Sequence, residues 1–304
     1  MRKFLFCFLI FNLFFINSSL ISESTIYSPD IEIDQSFTYE IITSSLDVTH
    51  KRKHFVVEDV FQFGLQQFSI SNPIEISVIN YTDSYVNFTL SCQGSNFSLI
   101  DPLDPALLYN YYSVYLSHFL FFPQMIASSF AYDYIEYGNF NSSYFAIGLQ
   151  LGTFFFFSTN STVWISIQEI LSFLEDKDNY NINSDDFDVV FSYLDSDGLI
   201  YIEGWYSGDI TYSNVSTVVN SGFQLVFNKT SGVLQGLRIK GSVDGIYGDF
   251  RSTCYTEFHM ELLNYDLPEF SLYNHITPVF GSYMFYFGLV LIPIIIIRKK
   301  CERK

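Results

Sequence analysis

The chain has 304 residues, of which 32 are acidic and 15 are basic, so its formal net charge at pH 7 is −17. A surface with this charge repels nucleic acid and anionic lipid, which excludes a nucleic-acid-binding protein. The length is sufficient for one large domain or two small domains, each with an apolar core.

The N-terminus has the pattern of a secretory signal peptide. A basic start precedes the run Phe4–Ile16, which is apolar but for one residue and is too short to span a bilayer as a helix. Small residues follow, and they favour cleavage near Ser22 or Ser24. We therefore assign residues 1–22 to a signal peptide.

Residues 23–278 alternate mainly between apolar and polar positions, which is the period of a strand. The predicted strands are Ile31–Thr43, Phe55–Phe63, Ile74–Ile79, Val86–Cys92, Phe187–Tyr193, Leu199–Tyr206, Phe223–Phe227, Val233–Val243 and Cys254–Leu262. Turn-forming segments such as 195–198 separate several of them and indicate hairpins. We expect a mainly β fold, either a curved antiparallel sheet or a sandwich, with residues 23–100 and 140–270 as candidate halves.

Two helices are predicted between these halves and within the second one. Asp104 and Pro105 suit an N-cap and a first turn, and they open a helix that we expect to end at Phe122, before Pro123. This helix is apolar on all sides, so burial inside the sheet is expected. The second helix, Trp164–Leu174, has one apolar stripe.

Acidic residues concentrate after the second helix. Several carboxylates that converge can bind a hard cation such as Ca²⁺. The candidate ligands are Asp176, Asp178, Asp185, Asp186 and Asp188. Their spacing does not complete an EF-hand, because Asn181 stands where the loop needs glycine, and a solvated acidic loop is the alternative.

The C-terminus has the pattern of a membrane anchor. Val279–Ile297 contains no charge, and the tail of residues 298–304 is basic, as expected after a stop-transfer segment. The positive-inside rule places this tail in the cytoplasm and residues 23–278 outside a cell membrane that is crossed once. The exterior part has 31 acidic and 8 basic side chains, a net charge of −23.

The exterior part contains two cysteines, Cys92 and Cys254. Each shares its strand parity with inward apolar residues, and the exterior is oxidising. We predict a disulfide between them; the alternative is a pair of free core thiols.

Sequons for N-glycosylation occur throughout the exterior part. They are Asn80, Asn87, Asn96, Asn141, Asn160, Asn214 and Asn228. Several lie on polar strand positions or in turns, so the sequence predicts a glycoprotein.

The motifs of several enzyme classes are missing from the sequence. It has no zinc-protease H-E-x-x-H, no G-x-S-x-G nucleophile elbow and no glycine-rich phosphate-binding loop. A carboxylate pair for glycoside hydrolysis has no fixed spacing, so a surface hydrolase stays the weaker alternative. We expect no catalytic residue and no cofactor beyond the candidate calcium.

Four short stretches carry a family resemblance. They are FTYE at 37–40, VFNKTSGVL at 226–234, IKGSVDG at 239–245 and LNYDLP at 263–268. With these stretches the chain resembles archaeal cell-surface proteins of the choice-of-anchor type. The resemblance implies a β-rich exported domain with a C-terminal anchor.

The sequence supports two functional hypotheses of different classes. In the first, the chain is a non-enzymatic, membrane-anchored surface protein in cell-surface structure, adhesion or recognition of a protein or glycan partner. In the second, a curved sheet wraps the aromatic helix and leaves a lumen for a hydrophobic ligand or lipid.

Overall fold

Antiparallel strands make up most of the protein, as the period-two pattern predicts. The computed structural model describes residues 30–63, 66–103, 116, 119, 121–128, 154–176, 187–212 and 215–271. The strands are β1 (Ser36–His50), β2 (Lys53–Glu58), β3 (Val60–Phe63), β4 (Gln66–Ser69), β5 (Ile74–Tyr81), β6 (Tyr85–Cys92), β7 (Ser95–Pro102), β8 (Asp188–Ser196), β9 (Leu199–Tyr212), β10 (Val215–Asn228), β11 (Leu234–Tyr247) and β12 (Phe250–Leu262). The account below concerns the unit that ends at Glu269.

The predicted signal peptide and membrane anchor lie outside the described residues. Within the described part of the chain, no helix is both long and apolar enough to cross a bilayer.

One sheet contains ten of the described strands. Their order is β7-β6-β5-β1-β12-β11-β10-β9-β8, with β2 beside β1, and β3 and β4 form a separate hairpin. Neighbouring strands are antiparallel, and most are joined by short turns. The predicted mainly β, antiparallel fold class is confirmed.

Strand β1 connects the two ends of the chain. From Tyr39 to His50 one side of β1 pairs with β12, the last strand. Its other side pairs with β5 through Ser36–Tyr39 and with β2 through Ser45–His50. The first strand is therefore continuous with both the β5–β7 group and the β8–β12 group.

Two helical segments cover the same face of the sheet, called here the inner face. Residues 116, 119 and 121–128 are helical (α1), and Phe119 lies 6.0 Å from Phe223 of β10 between ring centroids. We expected this helix to end before Pro123, and that boundary is wrong because helical residues continue to Ser128. Proline fixes a helical φ and removes one hydrogen bond, so it does not always end a helix.

The second helix, α2, spans Ser161–Glu175 and confirms the predicted helix at Trp164–Leu174. Its N-cap residue, Asn160, accepts a hydrogen bond from the backbone N–H of Thr162 at 2.9 Å. The buried stripe comprises Val163, Trp164, Ile167, Ile170, Leu171 and Leu174. This spacing places the apolar side chains on one face, which packs into the core.

Four consecutive phenylalanines, residues 154–157, form the centre of the core and are called here the Phe segment. All four are buried. Phe155 packs edge-on against Tyr39 of β1, with centroids 5.1 Å apart, and Phe157 stacks on Trp164 of α2 at 4.1 Å. Burial of aromatic side chains at this density is a large apolar contribution to stability.

Candidate functional site: a covered polar row and the C-terminal strap

The face opposite the helices, called here the outer face, carries an unusual row of polar side chains. Glu203 of β9, Gln224 of β10, Arg238 of β11 and His259 of β12 stand side by side in the strand register. The exposed fractions of the first three are 4%, 0% and 8%. Buried polar groups require hydrogen-bond partners, and most of this polar row finds them within the protein, although Oε1 of Gln224 has none among the described residues.

The first two members of the polar row bond to each other. The Nε2 amide of Gln224 donates to Oε1 of Glu203 at 2.7 Å. Two residues further along the same two strands, Trp205 of β9 lies against Gly222 of β10, where an added Cβ would meet the indole ring at 2.2 Å. The indole N–H of Trp205 donates to Asn220 at 2.6 Å, so its polar edge is satisfied.

Residues 263–269, called here the strap, follow β12 and fold back over the outer face. The turn is fixed by the backbone N–H of Leu263, which donates to the carbonyl of Thr38 at 2.8 Å. Leu267 then sits over Gly236, where an added Cβ would lie 2.8 Å from the Leu267 Cδ1 atom. Glycine at position 236 therefore leaves the space that the strap occupies.

Arg238 fastens the strap from below. Its Nη1 donates to the carbonyl of Pro268 at 3.2 Å, and its Nη2 donates to the carbonyl of Leu267 at 3.4 Å. Glu269 also approaches the guanidinium, at 3.6 Å, but this carboxylate is almost fully exposed. The two hydrogen bonds to carbonyls contribute more to stability than the Glu269 ion pair does, because a charged donor and a buried acceptor form strong hydrogen bonds.

Glu261 holds the strap from the side. Its Oε1 accepts the backbone N–H of Leu267 at 2.8 Å and lies 2.6 Å from Nε2 of His259. Burial, and then the nearby Arg238 charge, lower the pKa of His259, although Glu261 acts in the opposite direction. A neutral ring with its proton on Nε2 fits this site, since a carboxylate only accepts hydrogen bonds.

A tyrosine pair completes the contact of the strap with the sheet. Burial, and then a hydrogen bond with Tyr201 of β9, raise the pKa of Tyr265. Tyr265 also donates its backbone N–H to the carbonyl of Leu262 at 2.9 Å. The strap is thus joined to β9, β11 and β12. The side chains of this cluster act mainly by hydrogen bonding to backbone groups of the strap, and this arrangement is called here the clasp.

A second buried polar group lies on the inner face. Oδ2 of Asp101, at the end of β7, accepts the backbone N–H groups of Phe155 and Phe156, both at 2.9 Å. Burial raises the pKa of Asp101 to about 8, although these two hydrogen bonds act in the opposite direction. Asp101 therefore ties the Phe segment to the edge of the sheet.

The structure separates the two cysteines, and the predicted disulfide is wrong. Both thiols are free and buried. Cys254 pairs with Val48 near the end of β1, whereas the β5–β6 pairing places Cys92 near the level of Tyr39. That offset is roughly 30 Å along an extended strand, while a disulfide needs Cα atoms about 4.4–6.8 Å apart.

The described sequons differ in exposure. Asn80 and Asn96 are exposed on β5 and β7, whereas Asn87, Asn160 and Asn228 are half-buried. Asn160 caps α2, and the side-chain oxygen of Asn228 accepts from Thr230 and Ser231 in the turn before β11. The remaining two, Asn141 and Asn214, lie outside the described residues.

Most of the candidate calcium ligands lie outside the described residues. These are Asp178, Asp185 and Asp186, while Asp176 ends α2 and Asp188 begins β8, both exposed. Within the part of the chain that the structure describes, no group of three metal-ligating side chains comes together. The calcium site stays a prediction of the sequence.

Sequence reasoning did not find the polar row, the strap or Asp101. Glu203, Gln224 and Arg238 occupy the polar parity of their strands, which indicates solvent exposure unless another segment covers them. One sequence feature pointed to such a covering segment: the apolar residues Leu267 and Pro268 closely follow the last strand, within reach of the sheet. Comparison with family models, with curated proteins and with solved structures found no match to the chain.

Proposed function

We propose that the chain is a membrane-anchored cell-surface protein that works by binding, in cell-surface structure, adhesion or partner recognition, without catalysis. The observation that carries the proposal is the strap. It directly follows the last strand and precedes the uncharged run Val279–Ile297 in the sequence, and Arg238 and Glu261 fasten it to the sheet. A tether needs such a fastening, because force or motion at an anchor otherwise frays the terminal strand.

The polar cluster of His259 and Glu261 also favours binding over catalysis. Glu261 is engaged by His259 and by the Leu267 backbone, and both side chains are only 13% exposed. A catalytic acid or base must reach a substrate proton, whereas these groups reach the strap.

The inner face favours a packed domain over the hydrophobic-ligand alternative. Phe121 of α1 packs against Tyr206 of β9 at 4.7 Å between centroids, and Pro123 lies directly over Gly241 of β11. Side chains of α1 and the Phe segment thus fill space on the inner face. A lumen for a hydrophobic ligand would need that space to be empty.

Topology is the decisive test. The full chain, with a tag after Lys304, is expressed in cells, and its membrane fraction is washed with alkaline carbonate. We expect the chain to stay in the membrane, and external protease to remove residues 30–269 while the tag stays protected. A variant that ends at Pro278 should be released into the medium. Extraction of the full chain by carbonate, or a tag that external protease removes, would contradict the proposal.

The same expression gives a test of glycosylation. We propose that Asn80 and Asn96 carry glycan, because both are exposed on the outer surface of the sheet. Mass spectrometry of chymotryptic peptides should show added sugar at these sites, because Phe and Tyr flank both of them whereas trypsin would not cut between Lys53 and Lys177. Asn80→Gln and Asn96→Gln should each remove one glycan. Unmodified peptides at both sites would refute this part.

A further inference from the structure

Among the described strands of the large sheet, β2, β7 and β8 each pair with one neighbour and so leave one edge open. Two of these edges are protected. On β8 the backbone N–H of Phe191 points away from β9 and donates to Oε1 of Glu175 at 2.7 Å. On β7 the outward position Pro102 has no N–H to offer. Protection of this kind keeps an edge from pairing with another chain.

The open edge of β2 carries backbone groups that point away from the sheet. The N–H of Asp59 donates to the carbonyl of Ser44 at 2.9 Å, which fixes the alternation of the β1–β2 ladder. Every second residue counted back from Asp59 therefore bonds to β1, and the residues between them present their N–H and C=O groups outward. These outward residues are His54, Val56 and Glu58. In the described part of the chain, no strand pairs with them on that side.

The open edge of β2 is accessible. Val56 is 44% exposed, and His54 and Glu58 are also exposed. The β5–β7 group lies on the same side of β1, but its pairing with β1 ends at Tyr39 whereas that of β2 begins at Ser45. This separation is roughly 20 Å along an extended strand, so a further strand has room to lie beside β2.

The sequence of β2 is complementary to itself in one antiparallel register. A two-fold axis through Val56 places Val56 opposite Val56 of a second copy, and His54 opposite Glu58 of the second copy. All outward backbone groups of both strands are then paired. An axis through Phe55 would instead place His54 opposite an apolar valine and would leave Glu58 beyond the paired segment. Backbone pairing and side-chain chemistry thus favour the same register.

The charges around this register are complementary. Asp47 is the β1 partner of Val56, and its Oδ1 lies 2.8 Å from Nε2 of His54. In the dimer the imidazole of His54 would stand between Asp47 of its own chain and Glu58 of the second copy. At the ends of the paired segment, Lys53 would come opposite Asp59 of the second copy. No like charges would therefore lie directly opposite each other, an arrangement that favours cross-strand pairing.

Apolar side chains form the middle of the same register. The two Val56 side chains would meet on the outer face. On the inner face Phe55 would lie opposite Val57 of the second copy, and both residues are half-buried in the single chain. Aromatic and β-branched cross-strand pairs are among those that stabilise a sheet.

We propose that β2 is the docking edge for a second copy of this chain, paired antiparallel about a two-fold axis at Val56. The dimer joins two sheets into one continuous sheet. The inference deepens the proposed function by naming a partner, and it rests on that function for the claim that the protein works by binding. One strand edge is a small interface, and anchoring of both copies in one membrane raises their effective concentration.

The first test is the mass of the purified full chain in detergent micelles, measured by analytical ultracentrifugation with the bound detergent subtracted. We expect a dimer. Val56→Lys places two ammonium groups directly opposite each other and should weaken dimerisation about tenfold or more. Within one chain the new lysine lies opposite Asp47, so the melting temperature should stay unchanged.

Three further variants separate the β2 edge from general effects. Val56→Pro removes an outward N–H and leaves the bonds to β1 intact, so it should also weaken the dimer. Val218→Lys is the matched control, because Val218 is 40% exposed on β10, which has a neighbour on both sides. Ile100→Lys alters the open edge of β7, where Ile100 is 61% exposed. Both lysine controls should dimerise as the wild type does.

The second test is a disulfide across the two-fold axis. The Cα atoms of a hydrogen-bonded antiparallel pair lie about 5.5 Å apart, which a disulfide can span. In a Cys7→Ser, Cys301→Ser background, mild oxidation of Val56→Cys should give a linked dimer on a non-reducing gel. Val218→Cys in the same background should give none.

Several results would overturn the proposal. One is a monomeric wild type whose Val56→Cys variant yields no linked dimer, and another is a dimer that Val56→Lys and Val56→Pro both leave unchanged. Loss of the dimer in Ile100→Lys alone would place the contact on β7 instead. On cells, linkage of Val56→Cys only to other proteins would show that β2 receives a different chain. Both tests use purified protein first, so they fail separately from the membrane topology.

Discussion

Asp101 is a buried carboxyl group whose protonation links stability to pH. Because its folded pKa of about 8 lies above its value in the unfolded chain, the folded state binds the proton more tightly. The resulting stabilisation is fully present below about pH 4 and is lost as the pH rises through about 8. The largest slope expected is about 1.4 kcal/mol per pH unit.

Asp101→Asn should remove this dependence and keep the fold. The amide oxygen of asparagine can still accept from Phe155 and Phe156, but asparagine does not titrate. Urea denaturation at pH 5 and pH 8 measures the effect as the difference between wild type and variant. Asp83→Asn, in an exposed turn, is the control. Parallel pH profiles for wild type and Asp101→Asn would show that Asp101 is not the titrating group.

The two cysteines predict a specific labelling pattern. Burial raises the pKa of the Cys92 and Cys254 thiols, and a protonated buried thiol reacts slowly. Iodoacetamide should leave both unmodified in the folded protein and modify both in urea without any reductant, as measured by peptide mass spectrometry. A requirement for reductant would indicate that the disulfide forms after all.

At the scale of elements, the attachment of the strap depends strongly on Arg238. Arg238→Met keeps the length of the side chain but removes both hydrogen bonds to the strap carbonyls. We expect a loss of about 3 kcal/mol, because the variant leaves two strap carbonyls without their charged donor. Hydrogen exchange should accelerate at residues 263–269 before it does in β9–β11.

A second variant on the same strand provides the control for the strap. Lys240 pairs with Glu257 at 3.3 Å, and the Lys240 side chain is more than a third exposed. Lys240→Gln should change stability by less than about 1 kcal/mol, because solvent screens such pairs. If it loosened the strap as much as Arg238→Met, general loss of charge would explain the effect better than the clasp does.

For the whole molecule, the pairing of β1 with β12 predicts one cooperative unfolding transition. The two tryptophans report on opposite faces, because Trp164 belongs to α2 and Trp205 lies on the outer face. Trp164→Phe and Trp205→Phe each leave one reporter. Their fluorescence transitions should coincide with each other and with circular dichroism. Two separated midpoints would instead favour the candidate halves 23–100 and 140–270 as separate domains.

Local features of this fold were predictable, and non-local ones were not. The strand alternation and the glycine of the 195–198 turn identify the β8–β9 hairpin, and the apolar stripe identifies α2. The neighbours of β1 could not be predicted, because nothing in Tyr39–His50 indicates pairing with residues more than two hundred positions later. The disulfide prediction failed for the same reason. Strand alternation indicates which face of the sheet Cys92 and Cys254 occupy, but it does not indicate how far apart they lie along the strands.

The candidate sites show a similar division. A covered outer face cannot be told from a solvated one by strand parity, so Arg238 and Gln224 had the pattern of ordinary surface residues.

The β1–β12 pairing also sets the order in which the chain can fold as it is made. A ribosome or an export channel delivers β1 first and β12 last, so one side of β1 waits unpaired while more than two hundred residues emerge. Pairing at such sequence separation is slow, and an open strand edge attracts other chains in the meantime. β2 and β5 can cover the opposite side of β1 early, since they follow it closely. Completion of the sheet therefore has to wait until β12 has emerged, and the strap follows β12 directly.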